Sequence, residues 1–306
     1  SIIISWSSST VYSVLSIISS FLNNEVDNIC VLFKNVMSLT GGLEGFDFTE
    51  FFTKTHTEED KQLIAEIVAS VGNSDIFGDS IYTIIDTVAK EIDESCTINV
   101  TPEEKYIIES VNGWEYEALH ILNLVEKIEH IDFEQHYENL DAQEIKDLMI
   151  YCSESLVCTK VFGTILNNTF GDVVHQDFTN PTVMKNSSDV VYNAIKVASI
   201  MNDPSFDLSD ATSTDELISS IENIASSEEN LELTNQLIND IIGNETPVEY
   251  TKEDISDAAS VVEDIISVYQ NSTDKDGFDI TNLPEEEKEK IENSDIAKAI
   301  LDALFK

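Results

Sequence analysis

The chain has 306 residues, 42% of them hydrophobic, and sets 59 acidic against 16 basic side chains for a formal net charge of -43. That apolar content suffices for a buried core and excludes a disordered chain, while every basic residue is a lysine and none forms the cationic cluster that nucleic-acid phosphates or an anionic membrane require. Charges closer than about 8 Å repel at ordinary salt, so folding is expected to gain from salt or divalent cations.

Ser9-Thr10 before Val11, Leu15, Ile18 and Leu22 reads as a capped amphipathic helix. Residues 1–24 then look like the tail of a repeat whose beginning is missing, and the chain is expected to be a mature or excised piece of something longer. The longest apolar run in this stretch is Ile2–Ile4, too short for a secretory signal or a membrane span.

A first repeat over 25–96 opens with a helix near Val26–Met37, with Ile29, Cys30 and Phe33 facing inward. Gly41-Gly42 and Gly45 end it, Phe46-Asp47-Phe48 follows, and Thr57-Glu58-Glu59-Asp60 starts a second helix to about Ser70. Asn73-Ser74-Asp75 caps a third, about Ile76–Ile92. A second repeat, 97–172, starts at Thr101-Pro102, with proline at the first helical place. Its first helix leads to Ile131-Asp132-Phe133. Asp141 caps the next helix, and Ser153-Glu154-Ser155 caps a tail helix to about Phe170. In a third, 173–243, a loop to Ser188 precedes a helix with Val191, Ala194 and Ile195. Phe206-Asp207-Leu208, a helix through Leu217 and Ile221, and a tail helix ending near Gly243 complete it. A fourth, 244–306, begins at Thr246-Pro247, passes Phe278-Asp279-Ile280 and Leu283-Pro284, and ends in the helix after Ser294-Asp295.

The tail helices share one apolar spacing. It runs Ile296, Ile300, Leu301, Leu304, Phe305, again as Leu233, Leu237, Ile238, Ile241, Ile242, and again as Val157, Val161, Phe162, Ile165, Leu166. A fourth copy, Phe77, Ile81, Tyr82, Ile85, has Asp86 in the fifth place. The unit is helix, apolar-Asp-apolar hinge, helix, polar cap, helix, with hinge aspartates Asp47, Asp132, Asp207 and Asp279. The expected fold is all-α, an elongated array of about four degenerate three-helix repeats, either an α-solenoid or chained helical bundles. Stacked units bury a continuous core and leave the carboxylates in water.

Four such hinges followed by Ser-Asp-Ile-type caps on an arginine-free acidic chain resemble the degenerate helical repeats of very large surface proteins of low-GC Gram-positive bacteria. The resemblance implies a surface or secreted location and a non-catalytic role, and it carries over no site residues.

Candidate chemistry is sparse. Asp274-Lys275-Asp276-Gly277 fits the middle of a calcium loop, with Asp274, Asp276 and Asp279 as candidate ligands. With Gly277 in the sixth place the ends fail, since Ser272 stands first, Leu283 twelfth and Asp279 where an inward aliphatic belongs. The segment reads as an ordinary hinge with at most weak calcium binding, and no other cofactor is expected. Glu117-Ala-Leu-His120 has the Glu-x-x-His spacing of di-metal bundles but no second copy, so His120 is expected at the surface. His130 and His136 flank the second hinge, a weak zinc signal. Trp114 is expected to pack beneath its helix. Cys30, Cys96, Cys152 and Cys158 read as buried apolar thiols; Cys152 and Cys158 are about 9 Å apart along one helix, too far for a disulfide. Five Asn-x-Ser/Thr sequons occur, at Asn99, Asn167, Asn186, Asn244 and Asn271, near the number chance gives.

The expected function is a structural or spacer segment of a large surface or secreted protein. Its expected partners are other protein segments or copies of the same chain, with no nucleic acid and no membrane insertion. A second reading is an adhesin-like acidic binding module for a cationic partner or divalent cations. A third, an enzyme with an unrecognised carboxylate site, lacks any assembled constellation.

Overall fold

The computed structural model describes residues 30–31, 34–35, 57–74, 78, 80–92, 94, 96, 98–171, 173–225 and 230–305. Every regular element among them is a helix, so the chain is all-α. The helix predicted before residue 25, the glycine break at 41–45, the hinge at Asp47 and Phe77 lie outside the described residues. No helix among the described residues is long and apolar enough to cross a membrane. The chain divides into two compact units, Ser1–Glu129 with Ser155–Val161, and His130–Glu154 with Phe162–Lys306.

In the first unit, α1 (Glu58–Gly72) is capped by Thr57, whose side chain accepts from Asp60 N–H, and carries three acids in its first turn. α2 is Ser80–Ile92. α3 (Pro102–Ile107) opens on a capping box between Thr101 and Glu104 and continues as a π-helical turn, Ile108–Asn112. Gly113, at φ 80°, breaks the helix predicted to run through here, and α4 (Trp114–Ile128) starts after it. α1 packs on α4 and on α2. Ile64, Val68, Ile81, Trp114, Ala118 and Leu122 form the core. Trp114 is 1% exposed, as its predicted packing requires, and lies edge-to-face on Tyr82 at 5.5 Å. Gly72 makes room for it: a Cβ there would overlap the indole.

Lys61 is also buried in this core, and its ammonium donates to Glu58 (2.9 Å), Asn123 (2.9 Å) and Glu126 (2.6 Å). Burial favours the neutral amine, but the hydrogen bonds to Glu126 and Glu58 outweigh it and hold the pKa above the usual lysine range. The cysteine expectation needs one correction. Cys96, Cys152 and Cys158 are buried, but Cys30 is exposed. Asn35, about 140° further round a helix, faces inward in its place and donates to Glu66 at 2.7 Å.

In the second unit, α5 is Ala142–Cys152, capped by Asp141. The helix α6 (Leu156–Phe170) supplies Phe162–Phe170 here. α7 (Pro181–Asn202) begins seven residues before Ser188, because Asn180 accepts from Thr182 and Val183 N–H and Pro181 suits the first turn. α8 is Ala211–Ile224, capped by Asp210, and α9 is Leu231–Ile241. α10 (Lys252–Asn271) starts on a capping box between Thr251 and Asp254, and Thr246-Pro247 before it stays outside any helix. α11 is Glu285–Glu292, and α12, Asp295–Leu304, is capped by Ser294. α5 packs on α7, α7 on α8 and α9, α8 on α10, and α12 on α10 and α11. Val157, Val161, Phe162, Ile165 and Leu166, and equally Leu233, Leu237, Ile238, Ile296, Ile300 and Leu301, are buried as their spacing predicts, whereas Ile241, Ile242, Leu304 and Phe305, at the ends of the same pattern, are only half-buried.

Candidate functional site

The calcium candidates sit in a turn that uses its own carboxylates. Asp274 accepts from Gly277 N–H at 3.0 Å. Asp279 accepts from Thr281 N–H (2.8 Å), the Thr281 hydroxyl (2.7 Å) and Asn282 Nδ2 (3.1 Å). Asp276 is exposed. Thr281 pulls the Asp279 carboxyl below the usual carboxylate range. Among the described residues no three His, Cys, Asp or Glu side chains are grouped to hold a metal.

What Asp279 does, the other described hinge aspartates do too. Asp132 accepts from Glu134 N–H at 3.0 Å and Asp207 from Ser209 N–H at 2.8 Å. Each is an Asx turn, in which the side chain accepts from the N–H two residues on and stands in for the backbone carbonyl of an ordinary β-turn. This gives the apolar-Asp-apolar pattern a physical cause. The aspartate turns the chain while its apolar neighbours reach inward, as with Phe133 against Phe162 at 6.0 Å and Phe278 against Tyr269 at 5.2 Å.

Glu117 stands in no group of three metal-ligating side chains among the described residues. It is 1% exposed, and its carboxylate caps α6 from a distance in sequence. It accepts from the Ser155 hydroxyl (2.5 Å), Val157 N–H (3.0 Å), Leu156 N–H (3.3 Å) and Asn112 Nδ2 (2.7 Å). A helix N-terminus with its free N–H groups is where a carboxylate is most stable. His120 is half-buried, its Nδ1 3.1 Å from Tyr116 O and its ring stacked on Tyr116. Ser155 Oγ accepts from Cys158 N–H, so the predicted serine cap is present as well. Burial, with the Glu117 charge, pushes the Cys158 thiol far up and leaves it unreactive.

His130 pairs with Glu144 at 2.8 Å and His136 with Glu138 at 3.1 Å. His136 stacks on Tyr137, whose hydroxyl donates to Asp240 at 2.7 Å. Burial, then the Asp240 carboxylate, holds Tyr137 protonated at all ordinary pH.

Three polar features escaped the sequence. The non-helical segment before each of α3, α7 and α10 is tied to a preceding helix. Asp86, the odd residue in the fourth tail copy, accepts from Ile98 N–H at 3.1 Å. Asn167 accepts from Phe178 N–H at 3.4 Å. On α9, Asn235 accepts from Tyr250 N–H (2.7 Å) and donates to its carbonyl (3.1 Å), and Asn239 does the same for Val248 at 2.8 Å each. The sequon residue Asn244 is also engaged here, donating to Asn239 Oδ1 and the Tyr250 hydroxyl. A polar residue at an inward helical place was the available signal. Beside this last segment lies an open groove of about 950 Å³ lined in part by Glu232, Asp240 and Glu249, with no lysine in its wall.

No protein-family model, curated protein or solved structure matches the chain.

Proposed function

We propose that the chain is a non-catalytic scaffold or spacer segment built of tandem three-helix repeats, within a larger surface or secreted protein. One observation carries the reading. The second helix of a predicted repeat packs on the first helix of the next in three successive places, α1 on α4, α5 on α7 and α8 on α10. The same partner relation recurring at each step is what stacked repeats require. The shared Asx turns at Asp132, Asp207 and Asp279 and the three tied non-helical segments support it. The rest of the acidic shell then serves solubility.

Stretching single molecules tests the proposal. Hinge aspartates stand 85, 75 and 72 residues apart, so each repeat should release roughly 250–300 Å of chain in its own step. One all-or-none rupture of the whole chain would sink the array.

The acidic groove favours a second reading, a binding module for a cationic segment of another protein. A lysine-rich peptide should then bind with an affinity that falls steeply with salt and is lost in Glu232→Gln/Glu249→Gln. Calcium belongs to neither reading as a tight ligand, and a calorimetric titration is expected to give no heat that Asp279→Asn abolishes.

A further inference from the structure

Asn112-Gly113 is the one Asn-Gly step in the chain. It stands against a buried carboxylate: Asn112 Nδ2 donates to Glu117 Oε1 at 2.7 Å, and the remaining bonds of Glu117 secure the start of α6. We propose that Asn112 is a deamidation site, and that its conversion to aspartate breaks this latch for good.

The chemistry needs only water. The Gly113 backbone nitrogen attacks Asn112 Cγ. A N–Cγ bond forms, the Cγ–Nδ2 bond breaks, and the leaving nitrogen departs as ammonia, taking up the proton that the Gly113 amide gives up. Water then opens the cyclic imide at either carbonyl, leaving aspartate or isoaspartate. Glycine favours the attack because no Cβ hinders the approach of its nitrogen. The closed backbone restrains it, since Gly113 N–H donates to Ile108 O at 2.7 Å and closes the π-helical turn. The reaction therefore proceeds when that turn opens. The turn is suited to opening: it is a single short π-helical turn, Glu109, Ser110 and Val111 are exposed, and the backbone reverses hand at Gly113.

Reclosing after conversion fails on charge. A carboxylate at position 112 would lie within hydrogen-bond distance of the buried Glu117 carboxylate, and the amide donor is gone. Isoaspartate also lengthens the backbone inside the turn. Transient opening is thereby turned into a permanent change at the α4–α6 contact.

The test uses the full chain, aged at warm, mildly alkaline conditions and then peptide-mapped. Asn112 is expected to convert ahead of the Asn-Ser steps at Asn73, Asn186, Asn271 and Asn293. Asn112→Asp, the product made directly, is expected to lower the thermal midpoint by about 4 °C or more. Asn112→Ser removes the donor without adding charge and should lower it less. The gap between these two variants should close as pH falls and a carboxyl takes up a proton. Asn112→Asp/Glu117→Gln exchanges amide and acid across the bond, gives up the Leu156 N–H bond to the same oxygen, and should recover part of the loss, which keeps the proposal testable even where Asn112→Asp alone does not fold. Retention of Asn112 while the Asn-Ser steps convert overturns the proposal. So does equal melting of Asn112→Asp and Asn112→Ser, or failure of the double variant to recover.

Discussion

Two non-helical segments of the second unit, 173–180 and 245–251, are attached to the helices before them in opposite ways. With Val157 of α6 aligned on Leu233 of α9, Gly163 falls opposite Asn239. At Gly163 the segment's backbone lies against the helix itself, and a Cβ would stand 2.6 Å from Thr179 N and closer still to Phe178 O. At Asn239 the backbone stands off, and the side-chain amide spans the gap with paired bonds to Val248, repeated one turn earlier by Asn235 and Tyr250. The apolar spacing is the same in both helices; α6 buries all five places and α9 the first three, with Ile241 and Ile242 half-buried. The apolar face therefore sets where a tail helix lies, and the polar or absent side chain beside it sets how the next segment is held.

Exchanging the two solutions gives the largest expected effect. Gly163→Asn drives a side chain into backbone that cannot step aside. The helix gains up to about 0.5 kcal/mol in intrinsic propensity, against an overpacking cost of about 3 kcal/mol or more. Chemical denaturation should show a net loss. Unchanged stability would mean that 173–180 can lift away freely.

Removing the bridge costs less. Asn239→Ala leaves the Val248 N–H and carbonyl without their amide, and Asn235→Ala does the same at Tyr250. Val248 is 39% exposed and water replaces part of the loss, so about 1–2 kcal/mol is expected for Asn239→Ala. Hydrogen exchange distinguishes the two variants. Val248 N–H should lose protection in the first and Tyr250 N–H in the second. Loss at both sites from either change would show that the ladder acts as one unit.

The difference between these attachments also marks how far local pattern reaches. Caps were legible at Thr57, Thr101, Asp141 and Ser294 because the bonded N–H lies only three residues from the capping side chain. The helices themselves, and the turns at Asp132, Asp207 and Asp279, were legible because apolar spacing and Asx turns are local as well. Thr246-Pro247 marked the opening of the fourth segment, yet α10 starts only after Thr251, beyond the residues that Asn235 and Asn239 hold by their backbone groups. Glu117 was passed over as half of a metal motif. Its partners at Ser155, Leu156 and Val157 lie some 40 residues away, beyond any local pattern.

Asp86 offers the smallest and most selective test, since the first unit holds its non-helical segment by charge instead of by amide. Its carboxylate accepts from Lys90 Nζ at 2.6 Å and from Ile98 N–H at 3.1 Å. The Lys90 hydrogen bond, opposed by partial burial and aided by Ile98, holds its pKa below the usual carboxylate value. A depressed folded pKa gives stability that is fully present above the unfolded value of about 3.9 and is lost as pH falls through the lower, folded value. Asp86→Asn keeps an acceptor for Ile98 and removes the negative charge that faces Lys90. Near neutral pH it should be slightly less stable than the parent chain, with faster exchange at the Ile98 amide. The two proteins should converge on the acid side of the carboxylate range. A gap that persists there would show that shape, not charge, ties this segment, as it does at Gly163.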